Sequence, residues 1–218
     1  MQKKTVDTKQ LVVLALLCAL AYAAVAVFRV PVVLFLKYEP KDCFLAICGM
    51  LYGPLPAVTV ATVVALIELV TVSDTGLIGL LMNVLSSVLF IVPAAVLYQR
   101  RRTLKNAVIG LVIGALLMTV GMLCWNWLIT PLYMHMPREA IADLLLPAFL
   151  PFNLFKAGMN AVLTVLLYKS VVTALRKAHL VPQTETAHNH KLGAGIAAIG
   201  LVLLAGLIVL LLVWRGIL

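Results

Sequence analysis

Leu11 to Phe28 is an apolar run without a single charge, and comparable runs recur along the rest of the chain. About 20 such residues cross the hydrocarbon of a bilayer, and a helix is the form that satisfies every backbone polar group within one segment. This repetition restricts the chain to an all-α integral membrane protein. Its 218 residues are 64% apolar and 11% charged, too few charges for a soluble domain. The net charge of +9 is carried by short basic clusters between the apolar runs. Cytoplasmic loops have that pattern, so no nucleic-acid partner is expected.

The apolar runs divide the chain. The first is Leu11–Phe28, followed by VPVVLFLKYEPKD, where Pro31, Pro40 and several charges indicate a loop or a re-entrant hairpin. CFLAICGMLYGP is too short for a straight span before Gly53 and Pro54 interrupt it. Further segments are expected at Ala57–Val72, Leu77–Tyr98 and Ala107–Ile129. A loop containing Pro131, Pro137 and Pro147 should then precede a sixth segment, Pro151–Leu175. A polar linker and a seventh apolar run, Leu192–Val213, complete the chain. Lys3, Lys4 and Lys9 before the first run resemble a secretion signal, but the run extends beyond the usual length of a signal core.

Lys and Arg counts give an orientation. Lys3, Lys4, Lys9, Arg100, Arg101, Arg102, Lys105, Lys169, Arg176, Lys177 and Lys191 fall at one set of segment ends. The other set holds Arg29, Lys37, Lys41, Arg138, Lys156 and Arg215. The richer set is read as cytoplasmic, with the N-terminus inside and, after seven crossings, the C-terminus outside.

In that orientation KYEPKD, SDTG, Asn83, Asn126 and the start of the sixth segment share the outer side. Asn153, Lys156 and Asn160 fall within about 60° of one another on an ideal helix. The stripe admits two readings. Lys156 could snorkel to the interface while the amides bond neighbouring helices; alternatively, the three line a pocket. Convergence with Asn126 and the charged loop favours the pocket. Amides suit hydroxyl and amide edges, and Trp125, Trp127, Phe152 and Phe155 could cover a flat ring, so a flat ring bearing polar groups and a hydroxylated chain is the best-matched ligand.

Other chemistries find little support. No phosphate-binding GxxxxGK[ST] loop and no Ser/His/Asp set is present, so no enzyme is expected. Cys18, Cys43, Cys48 and Cys124 read as small buried hydrophobes, and His135, His179, His188 and His190 as solvated side chains, so no metal is expected. Glu68 would suit a proton-coupled carrier, or it lines the pocket or bonds a neighbour. Ala15, Ala19 and Ala23 form a stripe of small residues that lets another helix approach closely, either one of this chain's own or a partner's.

The blocks LKYEPKD, GMLYGPLPAV, TGLIGLLMN, PAAVLYQRRRTLKNAVIG, NWLITPLY and PFNLFKAGMNAVLTVLLYK occur in that order behind the Ala15-x-x-x-Ala19 helix. Over about residues 10–178 they resemble the riboflavin-binding S components of energy-coupling factor (ECF) transporters. The resemblance implies a six-helix bundle in a bacterial cell membrane over residues 1–178. A polar linker, 179–191, and an additional transmembrane helix, 192–218, would be appended to it. It implies riboflavin as transported ligand with no resident cofactor, captured from outside under a lid formed by the first loop. A transmembrane coupling protein and two cytoplasmic ATPase subunits would drive release inward. Leu36, Lys37, Tyr38, Glu39, Asp42, Asn83, Asn126, Asn153 and Lys156 take the ligand-contacting positions, and Ala15, Ala19 and Ala23 would face the coupling protein. The seventh helix and Trp127 depart from the pattern. An S component for another vitamin, or a stand-alone carrier using Glu68, are the alternatives.

Overall fold

The structure, a computed structural model, describes residues 7–182. The expected seventh helix, most of the linker with His188 and His190, and the flanking Lys3, Lys4, Lys191 and Arg215 lie outside the described residues. Helix α1 (Thr8–Val27) starts where the Asp7 carboxylate accepts a bond from the Lys9 amide at 3.3 Å, an N-cap that satisfies one otherwise free backbone donor. It buries Val13, Leu17, Ala21, Ala24 and Val25 on one side.

The first loop adds a short extended hairpin to an otherwise helical membrane fold. Strands β1 (Val30–Val33) and β2 (Leu36–Tyr38) form an antiparallel hairpin that pairs Val30 with Tyr38 and Pro31 with Lys37. A valine-rich segment favours extended backbone, and with only two strands Pro31 removes a bond no third strand needs. At the tip Leu34 has φ +49°, a left-handed conformation that costs a non-glycine residue about 1–2 kcal/mol.

Helix α2 (Lys41–Tyr52) is 12 residues long, a length of about 18 Å against a hydrocarbon core of about 30 Å. It is held inside the protein rather than in lipid, with Leu45, Ala46, Ile47 and Cys48 fully buried. Gly53, at φ +99°, makes the turn that a side chain would strain, and Pro54 opens α3 (Pro54–Thr71). Helix α4 (Gly76–Arg100) and α5 (Leu104–Met134) follow. A Cβ on Gly110 would sit 2.8 Å from the Ala94 Cα, and one on Gly114 would strike the Phe90 carbonyl. This Gly-x-x-x-Gly pair brings the two backbones into contact.

The loop expected around Pro131, Pro137 and Pro147 is mostly helix. Pro131 lies within α5. Helix α6 (Arg138–Leu144), a π turn (Leu145–Phe149) and α7 (Leu150–Lys177) run on as one rod. Pro147 and Pro151 have no N–H for the carbonyls four residues before them, and the helix widens there instead of ending. Among the described residues six helical rods result, five of them long and apolar enough to cross a membrane.

The main core gathers Leu17, Leu45, Ile47, Phe90, Ile91, Leu111 and Met118. A smaller cluster of Val32, Leu36, Tyr38, Ile141, Phe149, Phe152 and Met159 seats the hairpin on α6, the π turn and the start of α7. Four free thiols remain, with Cys43 donating to the Pro40 carbonyl at 2.9 Å. No cluster of metal-ligating side chains occurs among the described residues.

Candidate functional site

Beneath the hairpin is a cavity of about 290 Å³. Small-ligand pockets run from about 300 Å³ upward, so it is sized for one small molecule. The hairpin supplies Leu34, Phe35, Leu36 and Lys37; α4 supplies Met82, Asn83 and Ser86; α5 supplies Met122 and Tyr133; α7 supplies Phe152, Asn153 and Lys156. Thr75 and Ser86, like Met122 and Tyr133, are eleven positions apart, so the walls descend about 16 Å along each helix. Ser86, Met122 and Lys156 lie deepest along their helices, while Thr75, Tyr133 and the hairpin close the mouth.

A charge network braces one wall. Lys41, 1% exposed, places its ammonium 2.6 Å from both Glu68 oxygens and 3.2 Å from Glu39 Oε2. Arg29 Nε lies 3.0 Å from the other Glu39 oxygen. Asn83 donates to Glu68 Oε2 at 2.8 Å, leaving its own carbonyl oxygen for the cavity. Glu68 thus bonds neighbours and is not among the lining residues. Lys156 is 6% exposed and has no carboxylate within ion-pair distance among the described residues. A buried cation beside a cavity and without a partner favours a ligand with an electron-rich edge.

Six of the nine expected ligand residues line this cavity: Leu36, Lys37, Glu39, Asn83, Asn153 and Lys156. Three do not. Tyr38 packs its ring on Phe155, centroids 5.2 Å apart. Asp42 is fully buried and accepts from Ser87 at 2.6 Å and Asn160 at 3.5 Å. Asn126, also fully buried, accepts from Thr130 at 3.1 Å. The expected α7 stripe is all buried, but it divides: Asn153 and Lys156 reach the cavity, whereas Asn160 turns to Asp42. The Asn153 amide donates to the Phe149 carbonyl at 2.8 Å, a bond at the π turn that orients its side chain.

Of the four expected aromatics, Phe152 lines the cavity and Trp125 lines a small apolar annex between α4 and α5. Trp127 is 45% exposed with the Arg138 guanidinium over its ring, the usual place of a membrane-interface tryptophan. Phe35 and Tyr133, edge to face at 5.7 Å, cover the mouth instead. They had no distinguishing sequence signal, because only the hairpin fold brings residues 35 and 133 together. Arg29 and Ser86 carried no such signal either, whereas Asp74 and Thr75 belong to the SDTG turn, which lies at the hairpin end of the bundle.

The hairpin is latched to the α3–α4 turn by the Lys37–Asp74 ion pair and by Arg29 donating to the Val72 carbonyl. Hydrogen bonding to Lys37 holds the Asp74 carboxyl below the usual carboxylate range. Burial opposes charge on Glu39, but Lys41, Lys156 and Arg29 outweigh it and hold that carboxyl low as well. Both contributions are therefore complete at neutral pH and disappear as pH falls through the lowered values. Dissociation of a bound ligand, followed by stopped flow, is expected to be flat across the neutral range and to accelerate only in acid.

Ala15, Ala19 and Ala23 are all exposed, as are Leu16 and Leu20 beside them. Among the described residues, no helix of this chain packs over the stripe.

The family model described as "ECF transporter, substrate-specific component" matches residues 9–168. The chain is 28% identical over 186 residues to the riboflavin transporter FmnP of Bacillus subtilis (strain 168), covering 79% of this chain and 98% of that one. It is 25% identical over 180 residues to the riboflavin transporter RibU of Staphylococcus aureus (strain TCH60), covering 78% and 94%. Among solved structures, one titled "Structure and mechanism of the S component of a bacterial ECF transporter" superposes with a TM-score of 0.64. That match, at 22% identity, covers 77% of this chain and 98% of the other and establishes likeness of fold.

Proposed function

We propose a riboflavin-capturing role from one premise: this chain belongs to the substrate-specific components of ECF transporters. Members of that family associate with an ECF energizing module, and the chain is a multi-pass membrane protein and not an enzyme. In our reading the hairpin end faces the outside, because Arg100, Arg101, Arg102, Arg176 and Lys177 gather at the opposite end. Riboflavin enters beneath the hairpin, which closes over it. The coupling protein and its two ATPases, docked on the exposed Ala15, Ala19 and Ala23, then drive release into the bacterial cytoplasm.

The observation that carries this reading is the meeting of Asn83, Asn153 and Lys156 with Phe35, Tyr133 and Phe152 around one cavity. Aromatic faces suit a flat heterocycle, and amide and ammonium groups suit its carbonyls and a polyol chain. The names of the FmnP and RibU relatives support the same ligand over another vitamin. A stand-alone carrier is disfavoured because both oxygens of Glu68, the carboxylate that reading relies on, are held by Lys41.

The purified chain alone is expected to quench riboflavin fluorescence with one-to-one stoichiometry. Absence of quenching overturns riboflavin as ligand. Uptake into vesicles driven by a pH gradient without added ATPases overturns the coupled mechanism. Ala19→Leu should leave quenching intact while abolishing co-purification with the energizing module, since a larger side chain on an exposed small-residue stripe blocks close helix approach without disturbing the cavity.

A further inference from the structure

We infer that Ser86, which nothing in the sequence pattern singled out, hydrogen-bonds the bound ligand at the deep end of the cavity and supplies part of its selectivity. The inference rests on the riboflavin reading above and adds a residue to it. Ser86 lines the cavity, is 3% exposed, and its hydroxyl has no hydrogen-bond partner among the described residues. A buried hydroxyl without a partner is costly, and proteins rarely keep one without a use for it. Other hydroxyls in these helices are occupied: Thr119, Thr130 and Thr164 bond residues four positions earlier on their own helices. Ser87, the next residue, donates to Asp42 at 2.6 Å.

Position on the helix explains the contrast between the two serines. A step of 100° turns Ser87 away from the cavity toward α2, where Asp42 waits, while Ser86 follows Met82 and Asn83 down the cavity wall. A serine hydroxyl both donates and accepts, so it can meet either a carbonyl or a hydroxyl of the ligand. A site that presents such a group discriminates against ligands with nothing polar at that point, because the hydroxyl is then sealed in unpaired.

This assignment makes a prediction of opposite signs for adjacent residues. In the detergent-solubilised full chain, Ser86→Ala should leave the ligand-free melting temperature unchanged or raised, because it removes an unpaired buried group. The same variant should weaken riboflavin binding about three- to tenfold, the scale of one neutral hydrogen bond. Ser87→Ala should behave in reverse, lowering the ligand-free melting temperature by depriving Asp42 of a donor. A Ser86→Ala protein that melts lower without ligand, or that binds riboflavin as tightly as the parent, overturns the role assigned to Ser86 while leaving the riboflavin reading in place. A parent protein that does not bind riboflavin at all removes that reading and the Ser86 contact with it.

Discussion

Lys41→Met is expected to destabilise the protein by about 3–5 kcal/mol, the scale for removing one partner of a buried ion pair. The reason is geometric. Lys41 sits at the first turn of α2, where a cation opposes the helix dipole, and it is nonetheless almost wholly buried. It stays there because two carboxylates from different parts of the chain, Glu39 just after the hairpin and Glu68 of α3, converge on its ammonium. Methionine preserves the volume and leaves those carboxylates facing each other without the charge between them. Glu39 keeps Arg29, but Glu68 retains only the Asn83 amide. Adding Glu68→Gln to Lys41→Met should therefore recover part of the loss, because the orphaned charge is removed. Thermal unfolding of the two variants beside the parent reads both effects. A Lys41→Met protein that melts with the parent would mean the network does not hold the fold.

Lys156→Met should act on binding and leave folding intact. Loss of a hydrogen bond to a charged group amounts to about 1.5–3 kcal/mol, or roughly 10- to 150-fold in riboflavin affinity. The ligand-free protein should lose little stability, since this lysine has no ion pair within 4 Å among the described residues and Glu39 keeps Lys41 and Arg29. The two buried lysines, one paired and one not, are thus separable by a melting curve and a fluorescence titration. Asn153→Ala should cost less, about three- to tenfold, because its amide is already committed to the Phe149 carbonyl and only its oxygen is free for the ligand. Unchanged affinity in both variants would remove the cavity from the binding reaction.

Part of the cavity lining was legible in the sequence, for a physical reason that applies to Asn153 and Lys156 in particular. Polar groups in hydrocarbon are costly, so their presence in an apolar run marks a place where something other than lipid receives them. The inward face of α7 followed from the helical repeat alone. Tyr38, Asp42 and Asn126 were grouped with them by depth and resemblance, but depth does not give the direction of a side chain. Asp42 points away from the cavity into a bond with Ser87, and Tyr38 turns its ring to Phe155.

The hairpin and the π turn were less accessible. A two-residue turn through Leu34 in a left-handed conformation carries no glycine or asparagine signature. Pro147 and Pro151 read as helix breakers, whereas the rod from Arg138 to Lys177 absorbs them by widening over one turn. In both places long-range packing, here the cluster of Val32, Leu36, Phe149 and Phe152, overrode the local preference.

Local chemistry was enough to determine that the chain lives in a bilayer, where its long apolar segments lie, and that α7 carries a polar face, because the cost of a charge or an amide in lipid is set by the residue itself. Which polar groups pair with each other, which are left for a ligand, and that Lys41 braces the wall while Lys156 and Ser86 face the cavity, were decided only by the tertiary structure. Those distinctions depend on distances between residues far apart in the chain, and no local pattern encodes them.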